Sequence, residues 1–464
     1  LSSDSKRIGI NSTTLLTKIE GLKDNRFQKF EGMSLPKFSQ IDLSGVKTLT
    51  SDNPVNFEEV FVTSDNGKIT SDIREINLYN ATGTNSFPVT INDYDKVKRI
   101  DIRNSCVTSM SLPSAPLSSL LFSNSEVVEL EIKSQPYLES LDFTGCKKLQ
   151  KVTLYDCNNL TTLNLAGLNL LSELSIAECD NVVKIDCSNN KELQTVTIEG
   201  LSNLKEVNLS GCTNTSLSIS IKNCNALTTI NLRDVVTRNA IVLPTDVSNV
   251  TKLVIEGCTN LTGFKYGDTN SAVDKYNGED VLDLRPFTSL TGSGLQMKRC
   301  SNLKYVKFDN NKDKAFVLSS SFFDGCSTLV NVFGHVAING TGVFDGCGNF
   351  FIYELPDATI TPMPTEDEFF ETTESNNGNI TNITVNTTNL SNCFRNTKCN
   401  LYDVYYILQK CDNVENLTNA FYGCAEIKSN DVNCLNTAIF KHCGKVTNMT
   451  QLFWGTGISG VLKS

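Results

Sequence analysis

Two histidines, His335 and His442, set the first limit on what chemistry this sequence can do. Acyl transfer through a Ser-His-Asp or Cys-His centre needs an imidazole beside a nucleophile. His442 does precede Cys443. Consecutive strand residues point to opposite faces, however, so both histidines are expected to be surface or capping residues. Glycoside hydrolysis needs two carboxylates facing one bond. Glu366, Asp367 and Glu368 cluster within TEDEFFETTE (365–374), which reads as a solvated acidic loop. Asp268, Asp274 and Asp280 carry calcium-type donors, but their spacing fits no calcium loop. The sequence holds no phosphate loop, dinucleotide fingerprint or H-E-x-x-H. No catalytic residue, metal or cofactor is therefore expected.

The 17 cysteines are the other reactive groups. Zinc sites want clustered pairs such as C-x2-C with convergent geometry. Here Cys146, Cys157 and Cys179 are spaced by 11 and 22 residues, with Cys212 further on and Asn190 in an equivalent place. That spacing is a repeat period. Both Cys and Asn can turn inward at a bend and donate to its carbonyls, and a free Cys otherwise behaves as a small buried hydrophobe. Free inward thiols are expected, including Cys157 and Cys179 one turn apart. Bridges Cys393–Cys399 and Cys434–Cys443 remain open alternatives. Asn-x-Ser/Thr triplets at Asn159, Asn214, Asn260, Asn382 and Asn416 reflect bends rich in Asn and Thr.

The elements that place these residues follow from the repeat. Leu138, Leu149, Leu160, Leu171, Val182, Leu193 and Leu204 recur every 11 residues. Each opens a phrase L-x-x-L-x-L-x-x-C/N, from LESLDFTGC to LKEVNLSGC. Alternate phrases differ in character, so the true period is 22 residues, with two short strands per coil. Apolar-x-apolar alternation is the signal of a half-buried strand, and no phrase has room for a helix. The expected fold is mainly β, a solenoid with little helix. Residues 1–15 form an N-terminal segment, 16–310 the solenoid, and 311–464 diverged repeats with a cap. Insertions interrupt the solenoid near 63–72 and 265–280. After 310 the phrase becomes F-x-G-C, as in FFDGCSTL, VFDGCGNF and AFYGCAEI, while LYDVYYILQKC (401–411) suits a short helix. Leu141, Leu163, Ile185 and Val207 are expected to form one inward column.

One polar row stands out. Asp142, Asn164, Asp186, Asn208 and, after a one-residue slip, Asn231 lie between core residues of every second phrase. The other edge presents Thr153, Ser175 and Thr197 instead. Asp and Asn are disfavoured in strands, so their recurrence calls for a reason. Two are open: hydrogen bonding between stacked turns, or a recognition face for hydroxyl-rich or basic ligands. The single Trp454 weighs against a sugar-binding version of that face.

Phrases such as IDCSNNKEL, VNLSGC and LDFTGC resemble the leucine-rich repeats of Bacteroidetes surface proteins. AFYGC and VTNMTQLFWGT are similar to BspA-like repeats. The resemblance covers roughly 16–460 and implies an exported, often lipid-anchored surface protein with adhesion or ligand-binding roles. It supplies no catalytic residues. Across the 464 residues, 39% are hydrophobic, 20% are charged and the net charge is −10. That composition supports a large core and argues against a nucleic-acid or anionic-membrane partner. No apolar run approaches the ~18–20 residues that span a bilayer. The chain opens at Leu1-Ser2-Ser3-Asp4, which reads as a trimmed start with any export signal or lipid anchor beyond it. The function expected is non-catalytic binding, as a monomer at the extracellular face of the cell surface, to a host or bacterial protein or glycan. The alternatives are a surface-attached glycan hydrolase working from an insertion loop, or a passive spacer.

Overall fold

In the computed structural model, residues 96–353, 381–429 and 441–458 are described, apart from 114, 269 and 312; before residue 96 the described segments are 7–11, 18–19, 29–33, 40–45, 63–65, 68–70, 73–83 and 87–90. The acidic loop 365–374, Cys434 and the FEEVFV phrase (57–62) lie outside them. The chain divides into two compact units, Leu1–Leu227 and Thr228–Ser464.

The first unit is a parallel β-solenoid. One edge carries five-residue strands at Glu129–Lys133, Lys151–Tyr155, Glu173–Ala177, Thr195–Glu199 and Ser218–Lys222. They pair in register, Glu129 with Lys151, Lys151 with Glu173, Glu173 with Thr195 and Thr195 with Ser218. The other edge carries three-residue strands, among them Thr162–Asn164, Lys184–Asp186 and Glu206–Asn208. From Lys151 to Asn208 each coil thus has a strand on both sides. The alternating burial within Lys151–Tyr155 and its neighbours turns Val152, Leu174, Val196 and Ile219 into one inward column. On the opposite edge Leu163 registers with Ile185, and Ile185 with Val207, all buried. Each such side chain contributes about 1.5–3 kcal/mol on leaving water.

Leu141 is buried as expected, but its phrase forms no strand. Two residues on, the column that continues as Leu165, Cys187 and Leu209 carries rings from two adjacent coils. Phe122 and Phe143 meet edge to face at 5.2 Å. The neighbouring coils are still linked there by the Asn124 amide, which donates to the Thr144 carbonyl at 2.8 Å. The expected insertion near 63–72 contains an antiparallel hairpin, Thr63–Asp65 with Lys68–Thr70.

The residue before each of the bend cysteines Cys146, Cys157, Cys179 and Cys212 is left-handed, including Asp156 at +54° and Glu178 at +51° before Cys157 and Cys179. Gly145 and Gly211 have φ of +73°, and Asn189, which precedes Asn190, has +61°. A left-handed residue reverses the chain there at least cost when it is Gly or Asn.

In the second unit the same plan continues, with Thr229–Asn231, Lys252–Val254 and Leu295–Gln296 on the short edge. Glu279–Asp283, Tyr305–Lys307 and Asn331–Ile338 pair in turn on the other. The insertion at 265–280 supplies an antiparallel hairpin of Lys275–Tyr276 against Glu279–Asp283. Its Tyr276 packs edge to face on Tyr305 at 5.1 Å and on Phe333 at 4.9 Å. The F-x-G-C phrases place one ring per coil. Phe323, Phe344, Phe394, Phe421 and Phe453 stack at 5.2, 5.5, 5.3 and 6.0 Å, within 17° of parallel. The helix Leu401–Leu408 falls where LYDVYYILQKC begins, and a capping box of Asn400 and Asp403 closes its N-terminus.

Candidate functional site

The polar row has a consistent local geometry. Asp142 Oδ1 accepts from the Thr144 amide at 3.0 Å, and Asn164 Oδ1 from Ala166 at 3.2 Å. Asp186, Asn208 and Asn231 do the same to Ser188, Ser210 and Arg233 at 3.0, 3.1 and 3.1 Å. Each is an Asx turn, in which the side chain takes the place of a backbone carbonyl and starts the bend. Asn231 sits in the second unit and repeats the arrangement there. One bond joins successive coils: Asn208 Nδ2 donates to Asp186 Oδ1 at 3.1 Å. The Thr144 hydroxyl, with its amide, holds the Asp142 carboxyl below the usual carboxylate range. Asp142 and Asn164 are exposed, while Asp186, Asn208 and Asn231 are half-buried. Asp42, Asn77, Asp101, Asn389, Asn416 and Asn448 make the same amide contact two residues on, which extends the pattern beyond the row read from sequence.

All sixteen cysteines of the described residues are buried free thiols. Their hydrogen bonds explain why Cys and Asn exchange. Asn190 Nδ2 donates to the Leu165 carbonyl of the preceding coil at 2.9 Å, and Cys212 Sγ to the Cys187 carbonyl at 3.2 Å. In the second unit Cys258, Cys300 and Cys326 repeat this toward Leu232, Ile255 and Met297 at 2.9, 3.1 and 3.1 Å. Burial pushes Cys212 up to about 11 and Cys258 to about 12. The proton these thiols need as donors is therefore held firmly, and nucleophilic thiolate is disfavoured.

The histidines go to different places. His335 is buried, and its Nδ1 lies 3.0 Å from the Asn311 carbonyl, so it is no surface residue. Its strand neighbours are all buried, and its own amide donates to the Asp309 carbonyl at 2.9 Å. His442 Nδ1 lies 3.1 Å from Asp412 Oδ1, while Cys443 turns inward. His442 is in a helical turn, not a strand, yet the two side chains still part. Asp268, Asp274 and Asp280 serve separate partners. Asp268 accepts from the Asn270 amide, Asp280 pairs with Lys275 at 2.7 Å, and Asp274 faces Lys307 and Arg285 at 3.5 and 3.6 Å. Among the described residues no three His, Cys, Asp or Glu side chains converge as metal donors, and no helix is long and apolar enough to cross a membrane. Of the Asn-x-Ser/Thr triplets, Asn214 binds the Ser216 amide and Asn260 the Val236 carbonyl, as bend residues do.

Sequence reasoning missed a cleft of about 860 Å3 in the second unit, between 284–293 and 308–319. Its lining includes Phe308, Asp309, Lys314, Phe316, Val317 and Asn339. The signal was the irregular spacing after LKYVKF, where the regular phrase ends. The cleft lining carries one carboxylate, Asp309, so it does not assemble the pair a glycosidase uses.

No family model matches this sequence, and no curated protein matches it. Among solved structures, a leucine-rich repeat protein from Bacteroides ovatus is 14% identical, covers 88% of this chain and 91% of its own, and gives a TM-score of 0.25. A leucine-rich cell surface protein from Faecalibacterium prausnitzii is 14% identical, with 89% and 96% covered and a TM-score of 0.25. An internalin from Listeria monocytogenes is 13% identical, with 72% and 87% covered and a TM-score of 0.18. Likeness at these TM-scores carries no argument. By its own repeat and the strands that repeat pairs, the chain is a leucine-rich-repeat β-solenoid.

Proposed function

We propose that this chain is a non-catalytic binding scaffold, displayed at the cell surface, that recognises a protein or glycan through an extended strand face. One observation carries the reading. On the long-strand edge of the first unit, outward side chains stand in unbroken rows across successive coils, as in Glu131, Thr153, Ser175, Thr197 and Ser220. Thr153, Ser175, Thr197 and Ser220 are half-buried residues. Within the described residues none of their hydroxyls is committed to a hydrogen bond. Such a face is rigid and flat, which keeps the entropy cost of binding low. Each residue of the Asp142-Asn164-Asp186-Asn208-Asn231 row has its Oδ1 engaged in a turn, and we assign the row to holding this frame rather than to ligand contact. Surface display rests on the resemblance of the repeat phrases to exported proteins.

The test is a protein and glycan array screened with the purified chain, followed by surface plasmon resonance on each hit. Ser175→Arg and Thr197→Arg place charge on the face without entering the core. Loss of binding with unchanged melting is expected. Binding untouched by both variants overturns the face, and hydrolysis of an arrayed glycan overturns the non-catalytic reading.

A further inference from the structure

We propose that the cleft of the second unit is a separate binding site for a neutral oligosaccharide. Its volume, about 860 Å3, lies within the ~300–1,000 Å3 typical of small-ligand sites. The walls combine two chemistries. Phe308, Phe316 and Val317 supply its apolar lining: Phe308 and Phe316 stack at 4.4 Å, and Val317, the next residue of the strand, is 40% exposed. Around them stand Lys314, Ser319 and Asn339, whose side chains make no hydrogen bond or ion pair within the described residues. A sugar ring presents an apolar C–H face and a rim of hydroxyls that both donate and accept. It can place the face on this apolar lining and the rim on these uncommitted groups.

Charge decides which glycan. Arg285 lines the cleft but is already neutralised, since its guanidinium grips Asp283 at 2.9 and 2.7 Å. What remains is one cation, Lys314, and one carboxylate, Asp309. The wall therefore has no net charge to attract a uronic acid or a sulfated sugar, and a polyanion gains nothing there.

The site is built rather than fortuitous. The loop that carries Asp309 and Lys314 is pinned from below by His335. The His335 amide donates to the Asp309 carbonyl at 2.9 Å, and its Nδ1 bonds the Asn311 carbonyl at 3.0 Å. The second ring nitrogen, Nε2, is buried with no hydrogen-bond partner among the described residues. The ring thus ties the Asn311 carbonyl to the strand. His335 is a positioning residue, because it reaches the ligand only through the loop.

Isothermal titration with the full chain tests the site, using neutral gluco-, manno- and galacto-tetrasaccharides and a tetragalacturonate as the charged control. At least one neutral probe should bind, and the uronate should bind tenfold more weakly or not at all. Val317→Arg and Asn339→Ala alter exposed side chains and should fold normally by circular dichroism. Each should weaken the neutral probe tenfold or more. His335→Ala should also weaken it, while His335→Asn, which keeps a donor for Asn311, should restore part of the affinity. Failure of every neutral probe, or full affinity in both cleft variants, overturns the proposal. A uronate that binds better than the neutral probes overturns the charge argument and the proposal with it. These outcomes leave the first-unit face untouched, because Ser175→Arg does not alter the cleft.

Discussion

Replacing Asp186 by alanine removes two hydrogen bonds made by one atom. Asp186 Oδ1 accepts from the Ser188 amide at 3.0 Å and from Asn208 Nδ2 at 3.1 Å. Asn164→Ala removes only the bond to Ala166 at 3.2 Å, at an exposed site. A net intramolecular hydrogen bond contributes about 0.5–1.5 kcal/mol, and more when a half-buried donor is left without a partner. Asn164→Ala should therefore cost about 1 kcal/mol, and Asp186→Ala about 2–3 kcal/mol. The difference isolates the bond between coils. Stability in a solenoid is shared among neighbouring coils, so the loss should be local. Hydrogen exchange should show the Ser188 and Ser210 amides opening sooner in Asp186→Ala, with amides near Glu129–Lys133 unchanged. Urea melts give the total. Equal costs for the two variants would refute the coupling of coils through this row. Intact stability in Asp186→Ala with loss of ligand binding would refute the framework role and return the row to recognition.

Gly211→Ala should cost about 1–2 kcal/mol more than Gly167→Ala in urea melts. Both residues are left-handed, but a Cβ at 211 would lie 2.6 Å from Asn189 Oδ1 and one at 167 meets nothing within 4 Å. Phe394→Ala removes the middle ring of the stack, between Phe344 and Phe421, and should cost about 3–5 kcal/mol, read as a lower Tm. Burial pushes the Asp403 carboxyl up to about 7, against the opposing pull of the Asn400 and Tyr353 amides. The folded state then keeps its proton longer than the unfolded chain, so this group's contribution to stability should be fully present below pH ~4, fall as pH rises to about 7, and level off above. Asp403→Asn should flatten that slope in thermal melts at pH 4–8, and an unchanged slope would refute the assignment.

The coils were legible because their cause is local. An inward residue every second position and a bend every 11 residues can be read without any partner in view. The register of Leu163, Ile185 and Val207 follows, because equal coil lengths leave parallel strands no other alignment. The F-x-G-C phrases likewise announced one aromatic per coil, and those rings stack. What sequence could not give is which atom of a side chain is committed. Asp186 looks like a displayed carboxylate in the row, but the amide that occupies its Oδ1 belongs to a bend whose geometry appears only in three dimensions. His335 reads as a surface residue, yet it is buried, with its Nδ1 on a carbonyl from 24 residues upstream.

The cleft was hidden for a related reason. It arises where coil lengths stop matching. The strand Asn331–Ile338 is eight residues long and serves three neighbours: Gly334 to Ile338 pair with Thr381–Val385, while Asn331 to Phe333 pair with Tyr305–Lys307 and Val336 to Ile338 with Phe316–Leu318. The chain between the last two neighbours must leave the ladder and return, and the loop it forms becomes a wall. Residues 284–293 of the neighbouring coil become the other. A regular solenoid buries its inward side chains and offers only faces, so a concave site needs such an irregularity. Gly292 marks the limit of the gap, since a Cβ there would lie 1.8 Å from the Val317 carbonyl oxygen. Where the walls touch, the cleft ends; where the spare residues of the loop hold them apart, a ligand has room.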